Sequence, residues 1–198
     1  MAIMVEQCAG PSWRSLTLAA APAYPPAWLA RAREASMAVN VTSAHPILRM
    51  TLRLTIGESL MAGSDDPLFL GVHGAQGREF RIRFARGPSL RRGGEESFCL
   101  GSPNDPETNV AHPAFNDPTA PAMDGALIQS AYLRKGFEPV PNVRGMGEMD
   151  DRLELLEAEL SIHTTGRARP LRFLRRGPLW LGLVSGLRLD LARVDEGG

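Results

Sequence analysis

The stretch Ile47-Leu48-Arg49-Met50-Thr51-Leu52-Arg53-Leu54-Thr55-Ile56 decides the fold class. Leu48, Met50, Leu52, Leu54 and Ile56 alternate with Arg49, Thr51, Arg53 and Thr55. A period of two places one set on each face of an extended chain, so this is a strand with one face buried and one polar. REFRIRF, residues 78–84, repeats the pattern with Phe80, Ile82 and Phe84 inward and Arg81 and Arg83 outward. Between the two, PLFLGVHG reads as a strand opened by Pro67 and closed by Gly74, with Gly74-Ala75-Gln76-Gly77 as a hairpin turn. Shorter strands follow at ESFCLG (96–101), ALIQSAYLRK (126–135) and RPLRFLRR (169–176).

Two further segments need arbitration. LELLEAELSIH, residues 153–163, is rich in helix formers and follows Asp150 and Asp151, which could open a helix. Leu156, Ala158, Leu160 and Ile162 nevertheless alternate with Glu157, Glu159, Ser161 and His163, and that alternation assigns a strand. WLGLVSGLRLDLARV, residues 180–194, closes the chain with Leu187, Leu189 and Leu191 on one face and Arg188 and Asp190 on the other. Eight or so short strands with Gly and Pro turns and no repeat predict an all-β fold, an antiparallel β-sandwich. Leu52, Leu54, Phe80, Ile82, Leu160 and Leu189 should share one core, and the sandwich should span residues 46–198.

Residues 1–45 differ in texture. Pro25 and Pro26 precede a short helical pattern carrying Trp28 and Leu29, and Trp13 stands upstream. An isolated helix of this length is marginal, so this N-terminal extension is expected to be an arm that docks on the body or on a partner. The longest strand-free stretch, residues 101–125, is rich in Asn, Asp and Pro, and loops of such length are usually functional or disordered.

The 22 basic and 22 acidic residues cancel, yet residues 1–44, 45–92, 93–159 and 160–198 carry net charges of +1, +4, −9 and +4. Such a distribution argues against nucleic acid as the partner, which would need a net basic face. Of the basic residues, 21 are Arg and Lys135 is the only Lys. Cys8 and Cys99 make neither a disulfide framework nor a zinc site, which suits free thiols in a reducing, intracellular compartment. No signal-peptide pattern opens the sequence and no apolar run approaches a membrane span; import into an organelle is a weaker reading, since Glu6 and Glu34 do not suit a transit segment.

Catalytic signatures are missing from the sequence. The nearest string to a G-x-S-x-G elbow is Gly182-Leu183-Val184-Ser185-Gly186, with its serine one place late. His45, His73, His112 and His163 have no metal-ligand spacing, and no phosphate-binding Gly loop occurs. The acidic clusters carry more. Gly63, Ser64, Asp65 and Asp66 follow the first strand, and Asp150 and Asp151 precede LELLEAEL. Calcium takes six to eight oxygen ligands from flexible loops, and loops at one end of a sandwich can pool them; the same residues serve equally as turn formers.

The order MAGSDDPLFLGVHG (61–74), GREFRIRF (77–84), RRGGEESFCLG (91–101) and IQSAYLRK (128–135) resembles the PLAT (polycystin, lipoxygenase, alpha-toxin) domain. The resemblance covers roughly residues 46–194, with Leu153 where the bacterial branch usually has Trp and Ala158 where it has Val. It implies an eight-stranded sandwich acting as a non-enzymatic docking or targeting module. With Trp13 and Trp28 of the arm as interface anchors, the chain reads as an accessory subunit that binds another protein. The alternative the resemblance implies is a calcium-dependent lipid-surface domain, with Gly63, Ser64, Asp65, Asp66 and, less directly, Asp150 and Asp151 around calcium and Leu60 and Met61 at the membrane. A small hydrolase is a third reading.

Overall fold

The computed structural model describes residues 45–60, 62–136 and 152–194. The arm, with its helix, Trp13 and Trp28, lies outside them, as do Met61, Asp150 and Asp151. Eight antiparallel strands make up the described body: β1 (Ile47–Ile56), β2 (Leu68–Gly74), β3 (Arg78–Ile82), β4 (Glu95–Leu100), β5 (Ile128–Lys135), β6 (Leu153–Thr164), β7 (Leu171–Leu181) and β8 (Arg188–Val194). LELLEAEL is a strand, and Leu153 and Ala158 are both fully buried in it.

Pairing runs in the order β3-β2-β5-β8-β7-β6-β1-β4. β8 turns this row of strands into two layers. Its first half, Arg188 to Leu191, pairs with β5, and its second half, Ala192 to Val194, pairs with β7. Leu52, Leu54, Phe80, Ile82, Leu160 and Leu189 meet in one apolar core, as the alternation requires. Strand register is held there because a one-residue slip would turn every inward side chain to solvent.

Two positions break the alternation, both at bulges. β1 slips against β6 between Ile47 and Arg49, so Ile47 is buried and Leu48 is turned out, 55% exposed. β6 carries an extra residue against β1, where Thr55 faces Glu157 and Ile56 faces Leu155, which buries Leu155 and exposes Leu156. An extra residue in one strand shifts the inward phase by one, so Leu48 and Leu156 leave the core that strict alternation gives them. The closing segment also divides: Trp180 and Leu181 end β7, which runs on from RPLRFLRR, and residues 182–187 turn into β8.

The strand-free stretch 101–125 is a seam. β3 and β4 are the two free edges of the row, and residues 109–111 bridge them. Phe84, just past β3, pairs with Val110, with Ala111 N–H donating to Arg83 O at 2.7 Å and Ala85 N–H to Asn109 O at 2.8 Å. On the other side, Asn109 Oδ1 accepts from Cys99 N–H at 2.8 Å and its Nδ2 donates to Ser97 O at 2.9 Å. Beneath the seam Phe84 and Phe98 stack with ring centroids 4.3 Å apart. Unpaired strand edges invite pairing with other chains, and here a loop and one asparagine cover them.

Candidate functional site

The antiparallel registers bring three connections to one end of the sandwich: residues 57–67, 83–94 and 182–187. Backbone hydrogen bonds tie them together. Gly93 N–H donates to Gly57 O at 2.8 Å, Ser64 N–H to Leu90 O at 3.1 Å, and Glu154 N–H to Ala62 O at 2.9 Å. Across the other layer, Gly136 N–H donates to Pro67 O at 2.6 Å and Lys135 N–H to Leu187 O at 2.8 Å. The start of β6 therefore stands between the 57–67 loop on one side and Leu181, its pairing partner, on the other.

Apolar side chains protrude from this end. Leu60 is 79% exposed, Val184 92% and Leu183 45%. A bond from Gly182 N–H to Gly186 O, 3.0 Å, closes the β7–β8 hairpin and holds Leu183 and Val184 at its tip. Below that tip Trp180 is half-buried, with the Arg152 guanidinium 4.9 Å over its ring. Arg91 and Arg92 are exposed beside the Leu60 loop, and Arg92 Nε donates to Glu58 O at 2.6 Å. Leu60 is the tip expected from the sequence. Leu183 and Val184 were legible as an apolar pair between two glycines, a feature hidden by reading the same string only as a failed serine elbow.

The acidic loop is arranged differently from a calcium cage. Gly63 is pressed against the 90–92 backbone, where an added Cβ would come within 2.6 Å of Leu90 O and 2.8 Å of Arg92 N. Ser64 Oγ accepts from Asp66 N–H at 3.2 Å, an Asx-like local closure. Asp66 is buried, and its Oδ2 is ion-paired with Nζ of Lys135, whose side chain is 1% exposed. Asp65 is exposed on the rim of a cleft of about 270 Å³ that is also lined by Arg81 and Arg83. Among the described residues no three of His, Cys, Asp and Glu gather as a metal site. Of the residues expected around calcium, Asp150 and Asp151 lie outside the described residues, Asp66 already has a buried cation beside it, and Arg81 and Arg83 line the cleft at Asp65.

The flanking face of β2, β3, β5 and β8 is locked by its own charges. Arg134 donates to both Glu79 oxygens, at 2.8 and 2.7 Å, and lies 4.3 Å over the Phe69 ring. Tyr132 donates to Glu79 at 3.0 Å beneath the Arg188 guanidinium, 3.9 Å from its ring centre. Hydrogen bonding from Arg134 holds the Glu79 carboxyl below the usual range, and burial with the Glu79 contact pushes the Tyr132 phenol up. His163 lies elsewhere, on β6, its imidazole pushed down by burial and by Arg49.

No family model matches the chain, and no curated protein does. Solved structures do. Alpha-toxin from Clostridium absonum matches at 12% identity over 80% of this chain and 35% of the toxin, with a TM-score of 0.47. Coral 8R-lipoxygenase, described as activated by calcium through a C2-like domain, matches at 14% identity over 73% of this chain and 17% of the enzyme, with a TM-score of 0.45. This chain therefore spans about a third of the toxin's length and a sixth of the lipoxygenase's. The fold of the described residues is the all-β, antiparallel, eight-stranded one expected from the sequence. No helix among the described residues is long and apolar enough to cross a membrane.

Proposed function

We propose that this chain is a non-enzymatic docking module that seats the loop end of its sandwich on a lipid surface. The observation that carries the reading is the protrusion of Leu60, Leu183 and Val184 from two connections tied to the same strand start. Side chains standing on two separate loop tips need separate matching pockets in a protein partner, whereas an acyl layer accepts them without any. Burying a Leu or Val side chain fully gains about 1.5–3 kcal/mol, so a few tips give reversible attachment rather than permanent insertion. Arg91, Arg92 and Arg152 around the tips suit the phosphate level of such a surface.

Leu60→Ser with Val184→Ser is expected to weaken co-sedimentation with phosphatidylcholine–phosphatidylserine vesicles by about a hundredfold, a tenfold loss for each tip. Unchanged binding would remove the loop end from the docking surface. A stoichiometric protein that co-purifies with the chain and is lost from the same variant would replace the lipid by a protein partner, the accessory-subunit reading.

A further inference from the structure

We infer that the docking end is set for binding without a divalent cation, because the chain's one lysine supplies the positive charge that a bound calcium ion would. This rests on the docking reading above and names the regulation of that same end.

Lys135 is the sole Lys among 22 basic residues, and among the described residues it is the cation that is buried. The exchange of residue type has a physical reason. An ammonium is a compact point charge on a flexible stem, while a guanidinium needs a planar fork of partners. A contact with a single oxygen of the buried Asp66 carboxylate suits the first. Taking two charges out of water is costly unless each has the other, so Asp66 and Lys135 hold each other in place.

That pair also sets the two tips. Lys135 N–H donates to Leu187 O, at the root of the Leu183–Val184 hairpin, and the next residue, Gly136, donates to Pro67 O, at the end of the Leu60 loop. The ammonium reaches back to Asp66 in that same loop. One residue thereby joins both tip-bearing connections by backbone and side chain together. The loop conformation is satisfied from within the chain, through Ser64 N–H to Leu90 O and Asp66 N–H to Ser64 Oγ. Arg81 and Arg83 line the cleft in front of Asp65 and Asp66, and like charge there opposes the entry of a divalent cation.

The test measures the full chain in EDTA and in millimolar calcium chloride, with sodium chloride matching the ionic strength. The bound fraction on phosphatidylcholine–phosphatidylserine vesicles and the thermal midpoint are both expected to be the same in the two conditions. Binding that occurs only with calcium, or a midpoint that calcium alone raises, would overturn the inference. Absence of vesicle binding in both conditions would end the lipid reading, and the midpoint comparison would still decide the cation question. Lys135→Met is expected to bind vesicles about tenfold more weakly, and Asp66→Asn added to it to restore binding in EDTA. If Lys135→Met binds as tightly as the natural chain, or the double variant stays weak while folded by circular dichroism, the pair does not set the docking end.

Discussion

Lys135→Met lowers the free energy of unfolding by about 3–5 kcal/mol, read from the urea midpoint at unchanged slope, because it removes the buried cation that faces the buried Asp66 carboxylate. Asp66 is 7% exposed and Lys135 is 1% exposed, so water cannot take over when either partner is removed. Asp66→Asn acts in the same direction by leaving the ammonium without its counter-charge. The double variant Asp66→Asn with Lys135→Met recovers most of the loss, since no net charge then remains buried. Because the two losses overlap almost entirely, this cycle should show a coupling at or above the top of the range for residues in contact, about 3 kcal/mol or more. A Lys135→Met cost of no more than about 0.5 kcal/mol, the size of an ordinary surface change, would mean that the pair is open to solvent.

Phe98→Ala costs a further class of interaction and a similar amount, about 3–5 kcal/mol, the range for emptying a large aromatic from a packed core. Phe98 is fully buried in β4, and Phe84 stacks on it from beyond β3, at the seam where residues 109–111 join the two edges of the strand row. Truncation leaves a cavity under that seam and removes the stacking partner as well. Phe115, in the same 101–125 stretch, is 85% exposed, and Phe115→Ala should change stability by no more than about 0.5 kcal/mol. Equal effects of the two substitutions, measured by denaturant unfolding, would contradict the seam.

Strand content was legible because alternation is a direct record of which face is buried. The six core positions expected from it all lie in the core. Alternation fails where the ladder gains a residue, and nothing in Ile47-Leu48-Arg49 or Leu155-Leu156-Glu157 marks the bulge, since each string offers an apolar residue for either phase. The stretch 101–125 looked like an excursion because its work is done by isolated bridges and by the side chain of Asn109, which leave no periodic trace. Asp65 and Asp66 read alike in sequence, but only burial separates the exposed residue from the ion-paired one. One signal did point there: a single Lys among arginines, which composition explains as readily as structure until its partner is seen.

A chain that meets lipid with its loop end buries one end of the sandwich in the acyl layer and leaves the other in water. The direct measurement is a polarity-sensitive dye placed at either end of the sandwich, through Val184→Cys in one sample and Ala75→Cys in another, with Cys8→Ser and Cys99→Ala in both. Val184 lies at the β7–β8 tip, and Ala75 lies on the β2–β3 turn at the opposite end, also exposed. On phosphatidylcholine–phosphatidylserine vesicles in EDTA, emission at position 184 should shift to the blue, as in an apolar medium, while emission at position 75 stays that of water. A blue shift at position 75, or bound protein with neither dye shifted, would contradict the account.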